Sequence, residues 1–324
     1  AGYNTSVSAL SMDYNSFHAQ WYKYWNRKIK FFVTPELPFI KTFIDTNKKL
    51  EKYIRFTFKK QKQMEIWKLN PNTKKSGRQR LPVKQPSLFT AHMFKFIAHV
   101  FGIDLGDPYP KKAPKNLSLL YNHKSKPLIK ISETCLVFSI NLMAELLMLQ
   151  SGKSITDSKL SLHESGKEVK NFYATRFRSI SWKNCTILNG SGLSSKNRIT
   201  PEQMLAITLF ADAQNYGEKT FMTLLPIAGW RWSLLKRFNR KDTTFRVWAK
   251  TGGIDYVRSL AGILLSHSGK RLMFVMFTND INKRNAYEKN PKKKSKKIQK
   301  KVWAWINWHT RAMDGIITEW IKKY

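Results

Sequence analysis

Cysteine, acidic residues and long apolar runs are all scarce in this sequence of 324 residues. The two cysteines, Cys135 and Cys185, are too few for a disulfide framework or a four-thiolate metal site, although they suffice for one bridge in an oxidising compartment. No stretch approaches about eighteen uninterrupted apolar residues, so we expect no membrane-spanning helix. The histidines are scattered and no phosphate-loop motif is complete, so we expect no metal and no other cofactor.

Positive charge dominates the residues that are present. Lysine and arginine number 58 against 21 aspartates and glutamates, which gives a formal net charge of +37. Such a surface attracts polyanions, for example nucleic acid, anionic lipid headgroups or acidic cell-wall polymers. Because 42% of the residues are hydrophobic and 13% are aromatic, the chain is too apolar to be disordered. The charge therefore indicates a class of partner for a globular protein, but not a function.

Composition and turn signals divide the chain near residue 112. Residues 7–25 partly alternate apolar with polar side chains and predict a strand, and the lysine-rich and aromatic-rich region that follows contains several turn signals. Helical spacing of apolar residues predicts a helix from Pro86 that ends at Gly102. We therefore predict an accessory domain over 1–112 and a second domain over 113–324.

The second domain is predicted to combine a buried helix with an antiparallel meander. Apolar residues at helical spacing between 131 and 149 predict a single helix that is apolar on most sides. Three strands are predicted at 243–250, 256–266 and 271–279, and a short glycine-containing turn joins the last two. Helices packed on an antiparallel sheet define an α+β fold class.

A run of lysines and an amphipathic helix end the sequence. The lysine run at 289–297 is typical of a solvated segment, and residues 298–324 have helical spacing of large apolar residues. We expect this helix to pack on the meander, with a membrane surface as the alternative contact for its tryptophan-rich side. The predicted apolar face comprises Trp303, Ile306, Met313, Ile317 and Trp320.

Lys250, Thr251, Gly252 and Gly253 follow one another at the end of the first predicted meander strand. They present an ammonium group, a hydroxyl and side-chain-free backbone at one strand edge, and such a grouping can hold a carboxylate. In a lysine-rich chain, a lone Lys-Thr-Gly also arises by chance. Its interpretation therefore depends on the other motifs of the sequence.

Two further segments carry small polar residues in unusual places. Ser139-Ile140-Asn141 lies within the predicted buried helix, where its polar side chains must either find hydrogen-bond partners or face a cavity. The turn at 189–195 contains Gly-Ser-Gly and comes just before a predicted helix start, Thr200-Pro201-Glu202-Gln203. A satisfied pair of core residues and an ordinary tight turn are the alternative interpretations.

In combination, Ser-x-Asn, the Gly-Ser-Gly-Leu-Ser turn and Lys-Thr-Gly resemble the penicillin-binding D-alanyl-D-alanine carboxypeptidases of peptidase family S13, the penicillin-binding protein 4 type. The likeness extends from about residue 7 to residue 280. It implies a β-lactamase/transpeptidase-like α+β fold with an accessory domain, and serine-type carboxypeptidase or endopeptidase activity through an acyl-enzyme. Peptidoglycan peptides are the implied substrates, β-lactam antibiotics the implied ligands of an active precursor, and a periplasmic or other extracytoplasmic site the implied location.

The resemblance also implies roles for individual residues. The hydroxyl and amide of the Ser-x-Asn motif join the proton relay and the substrate-binding network, and the lysine and threonine of Lys-Thr-Gly hold the substrate carboxylate. The implied catalytic residues are Ser139, Asn141 and Lys250, and the implied substrate-binding residues are Thr251, Gly252 and Gly253.

The nucleophile motif of the family, Ser-x-x-Lys, does not precede Ser139 in this sequence. The only such motif is Ser233-Leu234-Leu235-Lys236, and its position downstream of the glycine turn argues against it as the nucleophile. A C-terminal fragment, a product of a split gene and a degenerate homologue that binds without turnover are the three open explanations. The absent start methionine and the opening in a predicted strand favour truncation.

Two other classes of function compete with the carboxypeptidase. Nucleic-acid binding would use the positive charge together with interleaved aromatic residues, namely Tyr22, Tyr24, Trp25, Phe31 and Phe32. Lysine greatly outnumbers arginine and is spread along the chain, whereas nucleic-acid readers often use arginine forks and clustered charge, so we expect no nucleic-acid partner. A non-catalytic module that binds the cell wall is the other alternative.

Overall fold

The computed structural model describes residues 6–26, 28–47, 49–50, 55–73, 75–112, 114, 116–230 and 232–324. The chain divides into two compact units, Ala1–His123 and Lys124–Tyr324. The first unit combines two small sheets with one helix, and the second combines an antiparallel sheet with helices. The α+β class predicted from the sequence is therefore confirmed.

The described residues of the first unit form two three-stranded sheets. One sheet is antiparallel in the order β2-β1-β6, and the other has the order β3-β5-β4, in which β3 and β5 run parallel. The predicted strand at 7–25 is shorter than expected, because a 3-10 turn at Asp13–Asn15 precedes it. The strands are β1 (Ser16–Lys23), β2 (Ile29–Thr34), β3 (Ile40–Ile44), β4 (Phe56–Gln61), β5 (Met64–Leu69) and β6 (Gly77–Pro82).

Helix α1 (Pro86–Val100) follows the strands of the first unit, as the sequence predicts. Pro86 occupies the first turn, where its missing N–H costs no hydrogen bond, and Gly102 has a positive φ just beyond the helix end. The buried carboxylate of Glu65 accepts the backbone N–H groups of Lys84 and Gln85 at 2.7 and 2.8 Å. This contact fixes the turn into α1, and burial raises the pKa of Glu65.

The second unit places six α-helices on and around one antiparallel meander among its described residues. The meander has the order β7-β8-β9, and its last two strands are joined by the predicted glycine-containing turn. The helices are α2 (Leu128–Phe138), α3 (Asn141–Thr156), α4 (Leu162–Arg176), α5 (Pro201–Asp212) and α6 (Ile281–Lys289), followed by the C-terminal α7 (Lys296–Lys323). The strands are β7 (Val247–Ile254), β8 (Val257–Leu265) and β9 (Arg271–Asn279).

The prediction of one continuous buried helix through Ser139 and Asn141 is wrong. The chain leaves the helix at Ser139, which has the left-handed values φ 54° and ψ 52°, and a new helix begins at Asn141. The apolar spacing continues across this break because both helices bury apolar side chains, such as Cys135 and Leu142. A periodic pattern therefore does not reveal the interruption.

The C-terminal helix packs against the meander, as predicted. Ile317 and Ile321 of α7 are fully buried in one cluster with Val247, Leu260 and Phe274 from the three strands. The placement of Trp303 on the apolar face is wrong, because its side chain is 59% exposed. None of the helices in the described part of the chain is long and apolar enough to cross a membrane.

Candidate active site

The break between α2 and α3 presents Ser139 at a helix end. The backbone carbonyl of Cys135 accepts the N–H groups of both Ser139 and Ile140, and the thiol of Cys135 lies 3.6 Å from the carbonyl oxygen of Ile140. The two cysteines, Cys135 and Cys185, are free and buried. Because the left-handed conformation redirects the chain at Ser139, its side chain leaves the helix surface while Asn141 opens α3.

Lys250 reaches this break from the middle of β7. Its Nζ donates hydrogen bonds to the Ser139 Oγ at 2.8 Å and to the carbonyl oxygen of Thr251 at 2.6 Å. Strand β7 continues to Ile254, so Lys250 lies within the strand and not at its end as predicted. Burial away from water lowers the pKa of Lys250, because the charged ammonium loses hydration.

The two glycines after Thr251 leave space that other side chains fill. A Cβ at Gly252 would lie 2.2 Å from the Ser259 Oγ, and one at Gly253 would lie 1.9 Å from the Arg258 Nη1. Both neighbours belong to β8, directly across the ladder. Glycine at these two positions therefore lets the Ser259 and Arg258 side chains of β8 lie close over the main chain of β7.

The outer edge of β7 is covered only in part by the described residues. Ala228 donates its N–H to the carbonyl of Val247, and Ala249 donates its N–H to the carbonyl of Pro226. These bonds show that Val247 and Ala249 point their backbone N–H and C=O groups toward the outer edge of β7. Because backbone groups alternate between the two edges of a strand, the N–H and C=O groups of Thr251 and Gly253 point toward the same outer edge. Beyond Ala249, no strand of the described chain pairs with this edge.

Glu145 holds the glycine turn against α3. Its carboxylate accepts the side-chain amide of Asn189 at 3.0 Å, the N–H of Gly190 at 2.8 Å and the hydroxyl of Ser191. A Cβ at Gly190 would lie 2.2 Å from the carbonyl oxygen of Ala144, so the turn approaches the helix backbone closely. The sequence indicated the turn but not the role of Glu145 in holding it. Glu145 is the single acidic residue of α3, and this isolated carboxylate is the feature that could have indicated that role.

The helix start after this turn forms as predicted. Thr200 accepts the N–H of Gln203 through its hydroxyl, and the Gln203 side chain accepts the N–H of Thr200 in return. This capping box satisfies two backbone donors at the first turn of α5, and Pro201 follows the cap.

Ser233, the serine of the only Ser-x-x-Lys, lies in the 3-10 turn Trp232–Leu234. Its side chain is half-buried, Lys236 is exposed, and no hydrogen bond joins the two among the described residues. The neighbouring Trp232 ring packs edge-on against Phe138, with 5.4 Å between ring centroids. Its role as a nucleophile stays a prediction that nothing in this geometry supports.

Of the predicted site residues, the structure brings Ser139 and Lys250 into direct contact. Thr251 joins them through its carbonyl oxygen, and Gly252 and Gly253 continue the same strand. Asn141 lies two residues after Ser139, at the start of α3. A hydroxyl, an ammonium group and an uncovered strand edge therefore occur together in the second unit.

The fold and this pairing define a class of protein: helices packed on an antiparallel sheet, with a serine and a lysine meeting beside the edge strand, form a transpeptidase-like fold. The model of the D-Ala-D-Ala carboxypeptidase 3 (S13) family matches residues 2–302. This chain belongs to that family, and the resemblance stated from the sequence is confirmed.

Individual relatives agree with this assignment. The D-alanyl-D-alanine carboxypeptidase DacB of Haemophilus influenzae is 29% identical over 172 residues, which are 52% of this chain and 35% of the relative. A carboxypeptidase of Mycobacterium tuberculosis is 27% identical over 230 residues, which are 68% of this chain and 47% of the relative. The chain thus spans about a third to a half of the length of these curated relatives.

Solved structures show the same fold. The crystal structure of penicillin-binding protein 4 from Haemophilus influenzae superposes with a TM-score of 0.70 at 24% identity, covering 86% of this chain and 63% of that chain. A complex of that protein with a β-lactam gives a TM-score of 0.67 at the same identity, covering 85% and 66%. The transpeptidase-like fold predicted from the sequence is confirmed.

Proposed function

We propose that this chain forms the carboxylate-binding and proton-relay part of a serine-type D-Ala-D-Ala carboxypeptidase, with endopeptidase activity, that acts on peptidoglycan through an acyl-enzyme. The hydrogen bond of 2.8 Å from the Lys250 Nζ to the Ser139 Oγ carries this proposal. A half-buried cation that contacts a hydroxyl beside an open strand edge suits a peptide that ends in a carboxylate.

Lys250 and Ser139 have complementary roles in this proposal. Because the ammonium group donates to the Ser139 oxygen, the hydroxyl hydrogen of Ser139 is left to donate to the departing amine of the substrate. The lowered pKa of Lys250 makes proton exchange with that hydroxyl easier than it is for an exposed lysine. Lys250 and the Thr251 hydroxyl bind the terminal carboxylate, and the Asn141 amide binds a peptide carbonyl.

The open edge of β7 positions the rest of the peptide. Backbone groups of Thr251 and Gly253 face outward there, so an extended peptide adds to the sheet as a further strand. The absence of side chains at Gly252 and Gly253 allows this close approach of two backbones. A side chain at either position would displace Ser259 or Arg258.

The attacking serine in this proposal belongs to a Ser-x-x-Lys motif other than Ser233-Leu234-Leu235-Lys236, which is the one such motif among the 324 residues. That serine oxygen attacks the carbonyl carbon before the terminal D-alanine, the C–N bond breaks, and the D-alanine amine leaves with a proton delivered through Ser139. Water then hydrolyses the ester and regenerates the serine. Residues 124–324 supply the C-terminal portion of this catalytic domain, and the first unit is part of the accessory domain.

The same proposal assigns partners and a location. Peptidoglycan peptides are the substrates, β-lactams are ligands once the nucleophile is present, and the protein works outside the cytoplasmic membrane. The net charge of +37 attracts it to anionic wall polymers.

Calorimetric titration of this chain with an N-acylated peptide ending in D-Ala-D-Ala tests the binding role. The free carboxylate is expected to bind about 10- to 100-fold more tightly than the C-terminal amide, the usual range for a charge-assisted hydrogen bond. Lys250→Met is expected to abolish this preference. Lys270→Met, in the exposed turn before β9, is the matched control and is expected to retain it. Equal affinity for acid and amide would refute the proposal.

Fluorescent penicillin tests the assignment of the nucleophile. The 324-residue chain is expected to bind β-lactam without a covalent label, because no Ser-x-x-Lys precedes Ser139 and Ser233 makes no hydrogen bond to Lys236 among the described residues. If the chain becomes labelled and Ser233→Ala removes the label, Ser233 is the nucleophile and our assignment is wrong.

A further inference from the structure

A lysine-rich segment, residues 289–301, leads into α7 and has a charge of one sign only. It contains eight lysines and no acidic residue. Most of these side chains are exposed, and within the described chain none of the eight makes an ion pair with a carboxylate. Unpaired lysines at this density repel one another, so a partner that brings negative charge lowers the free energy of the segment.

Helix α7 continues this lysine-rich segment and has two different faces. The inner face is buried in the second unit through Val302, Met313 and Ile317. The outer side carries large apolar residues in water: Trp308 is 64% exposed, Trp303 is 59% exposed and Ile316 is 43% exposed. Lys301 and Arg311 are exposed beside Trp308 on this helix.

We propose that the lysine-rich segment and the outer side of α7 form a docking surface for an anionic phospholipid bilayer. Clustered lysines on an amphipathic helix are attracted to anionic headgroups, each contributing independently near the surface. Tryptophan prefers the boundary between headgroups and acyl chains, because its ring is apolar and its indole N–H is polar.

The exposed tryptophans favour a bilayer over a dissolved polyanion. A wall polymer or nucleic acid neutralises the lysines, but a wall polymer offers no apolar layer for Trp303, Trp308 and Ile316. The inner face of α7 stays packed on the meander, so docking requires no unfolding and the helix lies on the membrane without crossing it. The surface would hold the proposed active site of the same unit near the membrane.

Sedimentation with phospholipid vesicles tests this surface. Vesicles with about one-third phosphatidylglycerol are expected to bind the chain, and pure phosphatidylcholine vesicles are not. Changing Lys292, Lys293, Lys294 and Lys296 together to glutamine is expected to lower the partition coefficient at least about 100-fold, since each lysine is worth about fivefold. Trp308→Ala is expected to lower the partition coefficient about tenfold. This is the effect of removing one apolar side chain that the bilayer would largely bury.

Trp25→Ala is the matched control, because Trp25 is 96% exposed in the other unit. It is expected to change vesicle binding by less than about twofold. Circular dichroism of each variant confirms that the helices are intact. If Trp308→Ala binds the anionic vesicles as well as the unaltered chain, or if duplex DNA in the same salt competes fully for them, charge alone is responsible and the proposal is overturned.

Discussion

The ammonium group of Lys250 donates a hydrogen bond to the hydroxyl oxygen of Ser139 across 111 positions of sequence. One residue lies in the edge strand of the meander and the other at a break between two helices. Their contact links the sheet to the helical part of the second unit. The protonation state of Lys250 therefore affects both the stability of the unit and its proposed binding of a carboxylate.

The stability of the chain is expected to depend on pH through Lys250. Its pKa in the folded protein is below the ordinary lysine value, so over the interval between the two pKa values the unfolded chain binds more protons than the folded one. Stability conferred by this group therefore rises with pH, and the cost of burying the ammonium is largest below the folded-state pKa. Each unit of pKa difference corresponds to about 1.4 kcal/mol.

Urea unfolding of the unaltered chain and of Lys250→Met between about pH 7 and about pH 11 measures this effect, with the upper limit set by the ordinary lysine pKa. The free energy of unfolding of the unaltered chain is expected to rise with pH relative to that of the variant. A constant difference, or one that falls with pH, would show that Lys250 is not desolvated in the folded chain.

Ser139 is expected to tolerate glycine better than alanine. Both substitutions remove the hydroxyl that Lys250 contacts, but only glycine adopts the left-handed conformation of this position without a steric penalty. Ser139→Gly is therefore expected to be about 1 kcal/mol more stable than Ser139→Ala in urea unfolding. The opposite order of stability would argue against the helix break at this residue.

Removing the anchor of the glycine turn is expected to destabilise the second unit. Glu145→Ala leaves three donors of the turn without their acceptor, at an expected cost of about 2–4 kcal/mol, whereas Glu145→Gln keeps part of the network and costs less. Thermal and urea unfolding measure the difference. Glu218→Ala, at an exposed loop position, is the control, and an equal effect of both alanine variants would contradict the role of Glu145.

Two adjacent isoleucines of α7 are expected to respond very differently to truncation. Ile317 is fully buried against the meander, so Ile317→Ala is expected to cost about 2–5 kcal/mol. Ile316 is 43% exposed, and Ile316→Ala is expected to cost less than about 0.5 kcal/mol. Similar costs measured by urea unfolding would mean that α7 is rotated or detached from the sheet.

Local signals made parts of the fold predictable. The start of α5 could be identified because Thr200, Pro201 and Gln203 act on one another within a single turn. The meander could be identified because its strands are adjacent in sequence and the turn between β8 and β9 contains glycine. The parallel pairing of β3 with β5 had no such signal, since it depends on the placement of the intervening β4.

The candidate site was only partly predictable. The family motifs indicated Ser139 and Lys250, but neither the left-handed conformation of Ser139 nor the position of Lys250 inside β7 follows from local propensity. The role of Glu145 depends on contacts to residues more than forty positions away in sequence. Trp303 was misplaced because helical spacing predicts which residues share a face, but not how far the neighbouring elements extend over it.

A crystal structure of this chain with an N-acylated D-Ala-D-Ala peptide would show whether Lys250 holds the terminal carboxylate. We expect the terminal carboxylate at about 2.7–3.2 Å from the Lys250 Nζ, the distance of a charge-assisted hydrogen bond, with the peptide extended along the outer edge of β7. A peptide bound elsewhere with its carboxylate away from Lys250, or a structure in which Ser139 and Lys250 do not meet, would contradict this prediction.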